Sequence, residues 1–186
     1  GPEVITPLRR GERLFHSADN AFGRQFSCRS CHPDGHINGL TFDIEADGLG
    51  MHPVDNRTLR SIFDTAPYKW EGTNPTLHWQ CGPRLAVFFT RLQPFAPDEL
   101  DDVVRYMSTI ELPPNPYRSD EGLTLPQRRG KAVFERAVSN DGRTIAPEQR
   151  CSTCHNGALF TNQQRTPLRN TMWFDAPVRL ERFDLF

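Results

Sequence analysis

Two five-residue stretches carry the residue types best suited to chemistry: Cys28-Arg29-Ser30-Cys31-His32 and Cys151-Ser152-Thr153-Cys154-His155. Of five cysteines, four fall in these two pairs and Cys81 stands alone. Three chemistries compete for such pairs. A disulfide inside Cys-x-x-Cys is usually redox-active rather than structural, and neither pair follows a strand pattern. Two Cys-x-x-Cys knuckles also make one four-thiolate zinc site, but that leaves both adjacent histidines without a role. Covalent c-type haem uses every residue: two thiols add to the two vinyl groups, and the next histidine lies under the iron as proximal ligand. A gap of two residues lets both sulfurs straddle one porphyrin edge. Because the histidine recurs, haem is the expected cofactor at both motifs, with Cys28, Cys31, Cys151 and Cys154 as attachment points and His32 and His155 as iron ligands.

The elements around the motifs repeat as well. "PLRRGERLF" (Pro7 to Phe15) precedes the first motif and "PQRRGKAVF" (Pro126 to Phe134) the second. Each reads as the opening turns of a helix with proline near its start. Thr124-Leu125-Pro126-Gln127 has the form of a capping box. After the motifs, "TLRSIFDTAP" (Thr58 to Pro67) is echoed by "PLRNTMWFDAP" (Pro167 to Pro177). Helix, haem motif and a Leu-Arg segment ending at Ala-Pro thus occur twice, the pattern of two related haem domains. "PDELDDVVRYMSTI" (Pro97 to Ile110) places Leu100, Val103, Val104 and Met107 at helical spacing, with acids in the first turn. That periodicity makes Met107 a packing residue rather than a ligand. "ELPPNPYRSDEG" (Glu111 to Gly122) is a proline-rich linker that ends the helix. The expectation is an all-α protein of two tandem cytochrome c-like haem domains, residues 1–113 and 114–186, with short helices and long loops. The stretch from Thr41 to Asn56 has little periodicity and is expected to be a loop over the first haem.

Composition narrows the partners. The chain has 186 residues and a formal net charge of −1, which argues against nucleic acid or an anionic membrane surface as a partner. No apolar run approaches transmembrane length. No signal peptide is present, and the opening Gly1-Pro2 reads as a protease remnant, compatible with a removed leader. Sixteen prolines and a mean hydropathy of −0.60 leave little apolar material for a core. A large apolar cofactor would supply the missing interior.

With these features together, the chain resembles the bacterial di-haem cytochrome c peroxidases and their relatives of the MauG type. "YKWEGTNPTLHWQCGP" (Tyr68 to Pro83) is similar to that family's W-D-G-R-A-x-x-L-x-x-Q-x-x-G-P segment, and "ELPPNPYRSDEGLTLPQRRGKAVF" (Glu111 to Phe134) to its interdomain linker and next helix. The resemblance runs over nearly the whole chain. It implies that the first haem reacts with peroxide and the second receives electrons from a redox partner such as a small cytochrome or cupredoxin-like donor. It implies that Trp70 lies between the haems as an electron relay and that Gln80 touches bound peroxide. His52, in "GLGMHPVDN" (Gly48 to Asn56), matches the loop that brings the displaceable distal histidine to the iron. His16, His36, His78 and the Cys81 thiolate compete with it for the sixth position. Haem attachment outside the cytoplasm implies a periplasmic or extracellular location.

Two departures qualify the resemblance. The family keeps a distal glutamate shortly after the glutamine, whereas no carboxylate stands between Glu71 and Asp98 here. Heterolytic peroxide cleavage needs an acid/base group to move the proton. The family's second domain also continues into a segment bearing a methionine ligand, which this sequence does not show. Met172 is the candidate substitute. The alternatives are a five-coordinate second haem or one completed by another polypeptide segment. Beside the peroxidase reading stand a non-catalytic electron-transfer protein and a MauG-like oxidant of a partner protein.

Overall fold

A proline behind a threonine opens the first helix. In the computed structural model, which describes residues 4–42, 54–69, 72–84 and 94–165, α1 runs Pro7–His16 with Thr6 as its N-cap. The Thr6 side chain accepts from the Arg9 backbone N–H at 3.2 Å, and Pro7 lacks the N–H that would otherwise be orphaned. The first cysteine motif forms α2, Cys28–Cys31. Next come the short strands β1, Thr41–Phe42, and β2, Val54–Asp55, paired antiparallel with Thr41 opposite Asp55. The two ends of the stretch expected to be all loop are therefore tied as a two-residue ladder, and the Thr41 hydroxyl donates to Asp55 Oδ1 at 2.8 Å. Leu77–Trp79 forms α3, which widens into a π-helical turn over Gln80–Arg84. The last long helix of this part is α4, Pro97–Met107.

The chain divides into two compact units, Pro113–Gln164 forming one and the described residues up to Leu112, with Arg165, belonging to the other. In the first unit the core is built where α1 crosses α4. Phe15, Leu77, Cys81, Phe95, Val103, Val104 and Met107 are buried together. The period read from the sequence of α4 is the one that packs: Val103, Val104 and Met107 all face inward. The crossing is close because Gly11 has no side chain; a Cβ there would collide with the Asp102 carbonyl. Beside it, Arg10 pairs with Asp102 and, at 3.4 Å, with Asp98. Cys28 packs against the edge of this core, so the motif is fixed to the unit's rigid part.

In the second unit, α5 covers Leu125–Glu135 and the second motif forms α6, Cys151–Cys154. The capping box legible in the sequence is made: Thr124 N–H donates to Gln127 Oε1 at 2.8 Å, and Gln127 N–H donates to Thr124 Oγ1 at 3.4 Å. Backbone pairing of Val138 with Thr144 closes the turn between the helices. None of the described side chains of residues 113–164 is fully buried. Phe134 meets Phe160 edge-on with ring centroids 6.0 Å apart, and this contact ties α5 to the turn after the motif. Among the described residues no helix is long and apolar enough to cross a membrane.

Candidate functional site: two Cys-x-x-Cys-His turns

Both motifs fold into the same object. In each, the cysteines are the first and last residues of a single helical turn, and the histidine follows as its C-cap. His32 N–H donates to Cys28 O at 2.9 Å, and His155 N–H donates to Cys151 O at 2.9 Å. The two histidines leave the helix with nearly the same backbone, φ −122°, ψ 64° and φ −100°, ψ 64°. The next step is common too. His32 Nδ1 lies 3.0 Å from the His36 carbonyl, and His155 Nδ1 lies 3.1 Å from the Phe160 carbonyl. A carbonyl accepts only, so Nδ1 carries the proton in both rings. Nε2 is then left as the lone-pair atom that a metal would bind, with the ring held by a second-layer hydrogen bond.

The surroundings differ between the copies. In the first, the Cys31 carbonyl accepts from the Asn56 side-chain amide, while Asn56 Oδ1 is buried with no hydrogen-bond partner among the described residues. In the second, the Cys154 carbonyl accepts from the backbone N–H of Asn162 at 2.8 Å. Burial pushes the Cys31 thiol up and the His32 imidazole down from their ordinary values, the latter opposed by backbone hydrogen bonds at His36 and Arg57. Both shifts favour neutral groups. A neutral imidazole is the form that donates its lone pair to iron.

No disulfide joins any of the cysteines. Among the described residues no group of three or more His, Cys, Asp or Glu side chains is arranged to hold a metal ion. Covalent haem asks for less: one turn with two thiols, one histidine with an available Nε2, and an apolar surface to cover. The second unit offers such a surface in Val133, Leu159 and Phe160, the last 64% exposed. The first offers Phe26, Ile37 and Leu40 near its motif in sequence, all exposed. A porphyrin-sized apolar group over such residues would supply the interior that the second unit's own side chains do not. The residues present fit the group.

The other sequence candidates are distributed as follows. Gln80 sits where α3 becomes the π turn, and its Oε1 accepts from the Asn74 side-chain amide. Cys81 is buried, its thiol 3.7 Å from the Met107 sulfur, so both sulfurs are core atoms. His16 Nδ1 lies 2.9 Å from the Glu12 carbonyl, and its ring meets Phe15 edge-on. His36 Nδ1 lies 3.0 Å from Thr58 Oγ1. His78 Nε2 lies 3.0 Å from Asp101 Oδ1. Each of these three rings already has one nitrogen engaged. His52, Trp70 and Met172 lie outside the described residues, as does the second copy of the Ala-Pro segment. Sequence reasoning passed over Asn56, Asn74 and the carbonyl of His36. Only Asn74 left a trace, as a polar residue in place of the resembled family's small one.

No family model matches the chain. It is 28% identical over 175 residues to hydrazine synthase subunit gamma of Kuenenia stuttgartiensis, a match covering 84% of this chain and 46% of that protein. It is 23% identical over 202 residues to the cytochrome c peroxidase Ccp of Escherichia coli (strain K12), covering 90% of this chain and 40% of that protein. In structure it resembles a chain of hydrazine synthase from K. stuttgartiensis with a TM-score of 0.67 and 26% identity, over 88% of this chain and 54% of that one. The chain thus spans about half the length of the proteins it matches. Its similarity is to the c-type cytochromes, without singling out the MauG type among them.

Proposed function

We propose that this chain is a di-haem c-type cytochrome that passes electrons from a haem on the second unit to a reactive haem on the first, where peroxide is reduced. One observation carries the reading: both motifs adopt the same turn, with each histidine held through Nδ1 by a backbone carbonyl. When bound, haem iron supplies one-electron chemistry and a coordination position for a small ligand. Residues of this chain do the rest. Cys28 and Cys31, and Cys151 and Cys154, hold the two groups, while His32 and His155 orient and ligate the irons. On this reading Trp70 relays electrons and His52 guards the sixth position of the first iron. Gln80 donates a hydrogen bond to the incoming ligand. Export to the periplasm or beyond, and a soluble redox protein as electron donor, follow from the same reading.

A second reading is favoured by the absence of any carboxylate between Glu71 and Asp98. Without an acid/base group beside the ligand, peroxide cleavage lacks its proton carrier. The chain then serves as the electron-transfer or ligand-holding part of a larger enzyme, as the name of its relative, a subunit of hydrazine synthase, suggests. Replacing the two histidines separately tests the common part of both readings. His32→Gly should change the spectrum of one haem and His155→Gly that of the other; either variant leaving both spectra intact would remove that residue as a ligand. Added peroxide then separates the readings, because a shifted Soret band and turnover support the first and an unchanged spectrum the second.

A further inference from the structure

Asn74 is a polar side chain with only 3% of its surface exposed. Its backbone is held from both sides: Tyr68 N–H donates to Asn74 O at 2.8 Å and Asn74 N–H donates to Tyr68 O at 3.2 Å. Its side-chain Nδ2 donates to Gln80 Oε1. Gln80 is itself anchored at the backbone, its N–H donating to Thr76 O at 3.1 Å, and it begins the π turn Gln80–Arg84. Such turns arise where a helix is widened to place a side chain, often at functional sites. A buried polar group left unpaired is costly, so the Asn74 side chain keeps its bond to the Gln80 amide.

A carboxamide has one accepting end and one donating end. With Oε1 turned to Asn74, the Nε2 amino group is the end of Gln80 that has no hydrogen-bond partner among the described residues. We propose that Asn74 is a positioning residue that turns the amino end of Gln80, rather than its carbonyl, toward the ligand of the first haem. This rests on the reading above that Gln80 faces that iron. The consequence is a ligand class. An amide presented by its amino end favours a small ligand whose outer oxygen or nitrogen carries a lone pair, and it neither takes up nor returns a proton. The pair Asn74–Gln80 therefore makes a site that holds such a ligand rather than one that drives acid/base cleavage, in keeping with the missing carboxylate.

Carbon monoxide on the reduced protein is the probe, read by its infrared stretch, because a donor near its oxygen lowers that frequency. The measurement uses the full holoprotein in a His52→Gly background, so that the sixth position is open. The expected result is a narrow, low-frequency band for the first haem that rises in Gln80→Leu. Asn74→Ala should broaden that band and move it toward the Gln80→Leu position. Asn74→Asp keeps the shape but, ionised, accepts instead of donating and turns the Gln80 amide around; its band should rise fully at neutral pH. Acidification that protonates the new carboxyl restores a donor to Oε1 and should bring the band back down. If Gln80→Leu shifts the band while both Asn74 variants leave it unchanged at every pH, the positioning role is overturned and the reading of Gln80 survives. If Gln80→Leu is silent, or the first haem gives no carbon monoxide band, both are overturned. Should Asn74→Ala fail to retain haem, the isosteric Asn74→Asp titration decides.

Discussion

The helix before the first motif and the helix before the second share the run Arg-Arg-Gly and a phenylalanine four residues on, yet they are used differently. In α1, Gly11 lies against the backbone of α4, Arg10 pairs with Asp102, and Phe15 is 1% exposed. In α5, a Cβ added at Gly130 would meet no atom of the described residues beyond its own helix backbone within 4 Å, and Phe134 has Phe160 as its aromatic neighbour among the described residues. The cysteine turns that follow are nevertheless alike in their helical hydrogen bond and in the carbonyl that takes the histidine proton. The local turn is therefore made by its own five residues and the short loop behind it. The scaffold under it is a separate matter, supplied in the first unit by the crossing of α1 with α4, where the paired Arg10 and Asp102 are 92 residues apart in the chain.

Removing the side chain that fills the first crossing should have the largest effect. Phe15→Ala opens a cavity in a closed core and should lower the stability of the first unit by about 3–5 kcal/mol, read as a fall in the urea midpoint. A shift within experimental error would mean that the α1–α4 core does not carry the unit. The two glycines sharpen the contrast because the same substitution should act with opposite signs. Gly11→Ala drives a methyl group into the Asp102 carbonyl and should destabilise by about 1–3 kcal/mol or more. Gly130→Ala meets open space in a helix interior and should stabilise by roughly 0.5–1 kcal/mol. Equal signs would contradict the difference in packing.

How much of this was legible follows the range of the interactions. The helix starts at Pro7 and near Pro126 were readable because a cap and a proline act on their own helix. The α4 face was readable from its period, and the cysteine turns from five residues each. The crossing at Gly11, the β1–β2 ladder and the Asn74–Gln80 pair were not, because each joins residues whose approach depends on the folded whole. The absence of buried side chains in the second unit was foreshadowed by composition but could not be placed in one half from the sequence. Site roles drawn from resemblance at His52 and Trp70 concern residues outside those described.

An effect as small as that at Gly130 should be the one that the two halves share. Thr6 caps α1 and Thr124 caps α5 with the same side-chain acceptance from the third helical N–H. Thr6→Ala and Thr124→Ala should each destabilise the helix they begin by about 1 kcal/mol, with little difference between them. Amide hydrogen exchange in the first turn of each helix reads this directly. A much larger loss at Thr6 would show that the cap also supports the α1–α4 crossing.

Haem attachment at both turns is read from the mass of the mature protein. Expressed in a bacterial host that exports the chain and attaches c-type haem, the protein should show the chain mass plus two haem additions under denaturing conditions. The additions should map to the peptides containing Cys28 and Cys31 and Cys151 and Cys154. A bare-chain mass, bound zinc, or haem on one turn alone would rule out two attachment sites.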